Sequence, residues 1–345
     1  MTPDPASRRP VMADVARLAG VSHQTVSRVI NGSSNIKPAT RSRVEHAIAA
    51  LGYRPNTAAR ALVTRRSKTI GIIASNTSQH GPASIQHSLQ EAARAAGYFS
   101  SVVTLSAVTH EELRDALDYL DRQSVEAIVM IATQHDALAV VRAETTSTPL
   151  VVVEGELSGR GLSVGVDQMA GARLATEHLV ELGHRRIVHV SGPRSWTEAR
   201  ARHAGYVDVM HAAGLPVDTD FEGDWSPSCG YEIGRRLASR ADFTAVFAAN
   251  DQMAMGVLHA FVQSGLRVPQ DVSLVGFDDI PESAYTNPSL TTIHQDFHLV
   301  GQRAIDVVTA ILNGVSMATP LIPPELVIRG STCGPAPERQ KGHTT

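Results

Sequence analysis

The chain has 345 residues, 43% hydrophobic and 19% charged, with a net charge of −3 and two cysteines, Cys229 and Cys333. That length allows two or three domains with an ordinary core, and the two distant cysteines exclude a disulfide framework or a paired-cysteine zinc site. With no run of about 18 apolar residues for a membrane span and no secretory signal at the start, the expected compartment is the cytoplasm.

The charge is unevenly placed. Residues 1–68 hold twelve Lys/Arg against three Asp/Glu, a net +9, and the remainder carries −12. A basic head on an acidic body points to a polyanionic partner for the head alone. Residues 1–9 read as a flexible start. Val11, Val15 and Leu18 then fall at i, i+4 and i+7 and predict a first helix with one apolar face. Ala19-Gly20-Val21 makes a tight turn. The stretch "GVSHQTVSRVING", residues 20–32, predicts a second, short helix with Ser22 as its N-cap. Val26, Val29 and Ile30 face inward, and Asn31-Gly32 stops the helix. His23, Gln24, Thr25, Ser27 and Arg28 are left outside. A third helix starts near Lys37-Pro38-Ala39-Thr40, turns Val44, Ile48 and Leu51 inward and stops at Gly52. Residues 10–55 thus predict a three-helix helix-turn-helix module, whose second helix enters the major groove. Gln suits adenine and Arg suits guanine. Ser and Thr at helix starts, here Ser22, Thr25, Ser27 and Thr40, suit phosphates. In "YRPNTAARAL", residues 53–62, barely two helical turns follow Asn56, too few to be stable alone. Residues 56–68 read as a hinge helix and linker.

From Thr69 the pattern changes. "TIGIIAS", "SVVTL", "AIVMIA", "LVVVE", "LSVGVD", "RIVHVSG", "TAVFAAN" and "VSLVGFDD" alternate with helical stretches. Such alternation means βαβ units and parallel sheets, which bind ligands at the carboxyl ends of their strands. The number of units suggests two lobes, and the whole chain is expected to be an α+β multidomain protein with an α/β body. Candidate ligand residues sit at strand ends. Asn250 is free to meet hydroxyls, Asp278 accepts hydroxyl hydrogen bonds, Arg202 donates a fork, and Trp225 and Phe297 offer flat faces to a sugar ring. Bland alternatives stand beside them: Asp278 capping a turn, Asp251 as the N-cap of the next helix, Trp225 in the core, Arg200 in a structural ion pair. No P-loop, GxGxxG, HExxH or GxSxG occurs and the histidines are scattered, so no enzyme activity, metal or cofactor is expected. Residues 333–345 lack a leucine heptad and read as a disordered tail.

"VMADVARLAGVSHQTVSRVING", with "ATRSRVEHAIAALGYRPNTAARAL", resembles the lactose-repressor family of bacterial transcription regulators. In the body, "EARARHAGY", "EGDWS", "ANDQMAMG", "VGFDD" and "LTTIHQDF" carry the resemblance over nearly the whole chain. It implies a body built like periplasmic binding proteins over residues 69–332. One lobe would span about 69–165 and 296–322, the other about 166–294 and 323–332. It implies base reading by His23, Gln24 and Arg28, with Asn31 also toward DNA. The hinge helix, with Asn56 and Ala59, would order on DNA, pair with its dimer mate and lie in the minor groove. Leu62 would be the wedge that unstacks the central step. It implies an effector site lined by Ser75, Gln79, Pro82, Glu154, Arg202, Trp225, Asn250, Asp278, Gln295 and Phe297. Three positions depart from the family's type member: His23 stands for a tyrosine, Glu154 for an aspartate, and Gln79 for an apolar residue. The implied protein is a homodimeric repressor on palindromic double-stranded operator DNA, released by a small sugar effector, foremost a galactoside. Another sugar, a sugar phosphate or a purine co-repressor is the variant. A sugar-processing enzyme with a fused DNA-binding head is the alternative of another class.

Overall fold

The computed structural model describes residues 10–30, 32–33, 35–54, 66–75, 77–106, 108–134, 148–154, 162–240 and 242–336. It divides into two compact units, Met1–Ser67 and Lys68–Thr345.

The first unit holds three helices, α1 (Met12–Ala19), α2 (His23–Ile30) and α3 (Pro38–Leu51). Val11 N–H donates to the Asp14 carboxylate at 3.0 Å and opens α1. Gly20 closes it in the left-handed region at φ 63°, where glycine pays no Cβ penalty. Ser22 Oγ accepts from Thr25 N–H at 3.2 Å and caps α2. Pro38 opens α3, and Gly52 closes it at φ 58°. Val15, Val26 and Val44 are fully buried, with Val29, Ala47 and Tyr53 closing the small core. Ile30, Ile48 and Leu51 pack against it half-buried. The first helix departs from its expected face. Val11 and Leu18 are 41% and 56% exposed, while Val15, Ala16 and Ala19 point inward. An eight-residue helix wedged between two others buries a narrow small-residue stripe, because alanines let the backbones approach; Val11 stands at the cap, before the first turn.

The second unit carries two parallel sheets. The first takes β1 (Thr69–Ser75), β2 (Phe99–Leu105), β3 (Ala127–Ile131), β4 (Leu150–Val153) and β5 (Leu162–Val164) in the order β2-β1-β3-β4-β5. α4 (His80–Ala95) and a late helix, α10 (Phe297–Leu312), cover one face, and α5 (His110–Arg122) covers the other. The second sheet takes β6 (Ile187–Ser191), β7 (Asp218–Glu222), β8 (Ala245–Ala248) and β9 (Ser273–Val275) in the order β7-β6-β8-β9. α6 (Gln168–Glu181) and α7 (Thr197–Ala212) lie on one side; α8 (Pro227–Ala238) and α9 (Asp251–Gln263) lie on the other. A short antiparallel pair joins β10 (Thr292–His294) to β11 (Glu325–Val327). Strands buried on both faces are near-continuous apolar runs, as parallel sheets require. The edge strands β2 and β7 are exceptions, β7 the more so. Its "DTDFE" sequence has no apolar alternation, and it pairs as an edge strand on β6 with an irregular register.

The chain passes between the lobes near Gly165–Asp167, near Gln295 and after Ile322. The first and third crossings are bonded: Ile322 N–H donates to Gly165 O, and Asp167 N–H donates to Ile322 O, each at 2.9 Å. Among the described residues, no helix is long and apolar enough to cross a membrane.

Candidate functional site

The carboxyl ends of both sheets face a cavity lined from both lobes. Thr133 follows β3, Glu154 follows β4, Trp225 follows β7, Asn250 follows β8 and Asp278 follows β9. Glu154, Trp225 and Asp278 have φ values of 61°, 73° and 104°. Left-handed backbone costs a non-glycine residue about 1–3 kcal/mol, and such residues gather at ligand sites. Here all three line the same cavity. The six-membered ring of Trp225 lies directly on Gly192, where a Cβ would collide with it. Trp196 meets Trp225 edge-on, centroids 5.5 Å apart at 67°. Phe297, at the start of α10, meets His80 at 5.9 Å. The two lobes also touch along this wall. Thr197 N–H donates to Thr133 O at 2.9 Å, and Trp196 bridges to Gln134.

Arg202 is the hub. It is buried, its Nη1 lies 3.2 Å from Asp278 Oδ1, and its Nε donates to Gln168 Oε1 at 2.9 Å. Nη1 also donates to the Ala249 carbonyl, and the guanidinium sits 3.8 Å over the Phe277 ring. Gln168 Nε2 donates to Glu154 Oε2 at 3.1 Å and to Gln295 Oε1 at 2.7 Å. Gln295 Nε2 in turn donates to Asp278 Oδ1 at 2.7 Å. This network ties α6, α7, both sheets and one lobe crossing into one rigid wall.

Burial pushes Glu154 from an ordinary 4.5 up to about 7, with the Val166 N–H and Gln168 amide opposing. Burial, and then the neighbouring Glu154, lifts Glu198 well above the usual carboxylate range. Burial raises Asp278, with Arg202 as the largest opposing influence. Three polar atoms on lining residues are buried without a hydrogen-bond partner: Thr133 Oγ1, Glu198 Oε2 and Trp225 Nε1. A cavity walled by aromatic faces, with a fixed cation and convergent polar groups, suits a small polyhydroxylated molecule.

Nine of the ten expected effector residues line this cavity: Gln79, Pro82, Glu154, Arg202, Trp225, Asn250, Asp278, Gln295 and Phe297. Ser75 does not; it is buried at the end of β1. Asn250, expected to be free, is already engaged. Its Oδ1 accepts from Met253 N–H at 2.9 Å and caps α9, and its Nδ2 donates to Trp225 O at 3.0 Å. Asp251 was the expected cap, but it lies one residue inside the helix. Its buried carboxylate accepts from Ser283 and Thr292 hydroxyls, each at 2.6 Å. Arg200 is exposed rather than in a core ion pair. Sequence reasoning missed Thr133, Gln168, Trp196 and Glu198. Trp196 and Glu198 stood in plain view between "SGPRS" and Arg202; the i, i+4 spacing of Glu198 and Arg202 on one helix face was the available signal.

In the first unit, Ser22, His23, Gln24 and Arg28 are exposed on and before α2, and Thr25 and Ser27 are half-buried. Ser22 Oγ and Thr25 Oγ1 share a hydrogen bond at 2.9 Å. Thr40 is half-buried in the first turn of α3. Asn31, Asn56, Ala59 and Leu62 lie outside the described residues.

A helix-turn-helix unit followed by a two-lobed periplasmic-binding-protein-like unit defines a class of bacterial regulators. The family model for bacterial regulatory proteins of the lacI family matches residues 11–56, and that for a periplasmic binding protein-like domain matches residues 176–332. The lactose operon repressor of Escherichia coli is 36% identical over 326 residues, 93% of this chain and 90% of that protein. The HTH-type transcriptional repressor PurR of Pasteurella multocida is 35% identical over 326 residues, 92% of this chain and 97% of that protein. A crystal structure of the lac repressor dimer bound to operator and the anti-inducer ONPF superposes with a TM-score of 0.84 at 35% identity, covering 94% of this chain and all of that one. The chain belongs to the lacI family and is a transcriptional repressor of that family.

Proposed function

We propose that this repressor binds a palindromic operator as a homodimer and is released from it by a small sugar, a galactoside foremost. In this reading His23, Gln24 and Arg28 read base edges, and Ser22, Thr25, Ser27, Asn31 and Thr40 meet the backbone. Asn56, Ala59 and Leu62 belong to a hinge segment in the minor groove. The single observation that carries the effector half is the cavity in which Arg202, Asp278 and Gln295 form a polar floor beside Trp225 and Phe297. Sugar hydroxyls suit the floor, and the C–H face of a galactose ring suits the indole. Sugar and DNA then oppose each other with a coupling of about 1–3 kcal/mol, so operator must weaken sugar binding by the same factor.

Calorimetric titration with galactose, lactose, allolactose, glucose and adenine tests the ligand. Fluorescence anisotropy on an operator obtained by in vitro selection tests release. The expected result is saturable galactoside binding, abolished in Asp278→Ala, with weaker operator affinity at saturation. Operator affinity that no panel member changes would sink the reading. A purine co-repressor is the second reading, favoured by the similarity to PurR and by the aromatic walls. Adenine binding that strengthens the operator complex would select it. The cavity argues against a sugar phosphate, since Arg202 is already paired with Asp278 and the neighbouring glutamates are acids rather than cations.

A further inference from the structure

The cavity wall carries more acid than a neutral sugar uses. Glu154, Glu198 and Asp278 are each less than 9% exposed, and all three line the cavity. Among the described residues, one guanidinium, Arg202, faces them, and it is committed to Asp278, Gln168 and the Ala249 carbonyl. His80, on α4, is the other basic side chain among the described lining residues, and it acts on Asp278. Glu154 is held by the Val166 N–H at 3.1 Å and by the Gln168 amide, both neutral donors. Glu198, in the first turn of α7, has a carboxyl oxygen with no partner.

A buried carboxylate without a cation costs several kcal/mol, so it keeps a proton or takes a cation. A sugar hydroxyl supplies one hydrogen bond and no charge. A ligand ammonium supplies both, and it has three donors to divide between two neighbouring carboxylates. Thr133 Oγ1 and Trp225 Nε1, also unpartnered on this wall, remain for the hydroxyls. We infer that the effector is an aminosugar carrying a free amino group, and that Glu198, backed by Glu154, is the residue that selects it. This rests on the reading of the cavity as a sugar site. In the unliganded site the two glutamates retain a proton; the protonated amine replaces it, and binding releases that proton to solvent.

The test is calorimetry on the full chain with galactose, galactosamine and N-acetylgalactosamine near pH 7, in buffers of different ionisation enthalpy. Galactosamine is expected to bind at least about tenfold more tightly than galactose, the size of one modest charge pairing. N-acetylgalactosamine, which has the bulk without the charge, is expected to show no such gain. The galactosamine enthalpy should depend on the buffer, reporting proton release, and the galactose enthalpy should not. In Glu198→Gln, which keeps the side-chain shape, the preference should fall toward unity. Galactose binding as tightly as galactosamine overturns the inference and leaves the sugar-site reading standing, as does an undiminished preference in Glu198→Gln. Binding of adenine and of no sugar would remove both. The wild-type comparison of the three sugars decides the matter even if the variant fails to fold.

Discussion

Replacing Arg202 with methionine removes the cation on which the cleft is assembled. Methionine fills a similar volume but donates nothing, so Asp278 loses its partner at 3.2 Å and Gln168 Oε1 loses its donor. The Ala249 carbonyl loses its donor, and Phe277 loses the guanidinium stacked 3.8 Å above it. Breaking a buried pair by deleting one partner costs about 3–5 kcal/mol, because the remaining charge is stranded. The cost is pH-dependent, and its sign follows from the stranded groups. Glu154 and Asp278 already titrate above their ordinary values, and loss of Arg202 raises them further. An acid raised in the folded state destabilises above its unfolded value and not below it. The full loss is therefore expected at pH 8 and a smaller one at lower pH, where acids that take up a proton need no cation. Urea unfolding followed by tryptophan fluorescence reads it, since both tryptophans lie at the cleft. Equal losses at pH 8 and pH 5, or a loss below about 1 kcal/mol at pH 8, would refute the account of Arg202 as the charge that holds the wall together.

Three further outcomes follow from the same geometry. Gly192→Ala drives a methyl into the Trp225 ring; the ring must leave the cavity wall, so sugar binding is expected to fall at least about tenfold while the fold survives. Glu154→Gln removes a carboxylate whose burial moves it from 4.5 to about 7, a cost near 3 kcal/mol at pH 8. Its amide faces the Gln168 amide at a loss of about 1 kcal/mol, so thermal unfolding should show net stabilisation at pH 8 and net destabilisation at pH 4. Val26→Ala opens the fully buried centre of the three-helix unit; a loss of about 2 kcal/mol would lower hydrogen-exchange protection of its amides roughly thirtyfold, without altering protection in the second unit.

The parts of this molecule legible in its sequence are those where one local rule decides. Ser22, Pro38, Gly20 and Gly52 punctuate the first three helices, and each acts through its own backbone. The apolar runs of β1, β3 and β8 announce strands buried on both faces. Where packing decides, the sequence misleads. Val11 and Leu18 have the spacing of a buried face, yet alanines take the interface. β7 hides because an acid-rich edge strand needs only its backbone to pair. In the cleft, strand ends mark Asn250 and Asp278 but do not say which polar atoms the protein itself consumes. Asn250 is spent on Met253 and Trp225, whereas Glu198, the second residue of its helix, keeps a bare oxygen. That distinction exists only once side chains from both lobes have met.

The threefold passage of the chain between lobes also sets an order of assembly during synthesis. The core beneath the first sheet includes Val300, Ala304, Ile305, Val307 and Val308 of α10, a helix made more than 130 residues after β5. Until that helix leaves the ribosome, α4 alone covers this face, on the β1 and β2 side, and β4 and β5 stay open there. The second sheet and its four helices are contiguous from Gln168 to Val275 and await little beyond the short β10–β11 pair. Domains usually fold in the order they are made. Here the lobe that emerges first must finish last, with part of one apolar face waiting for a helix from the far end of the chain.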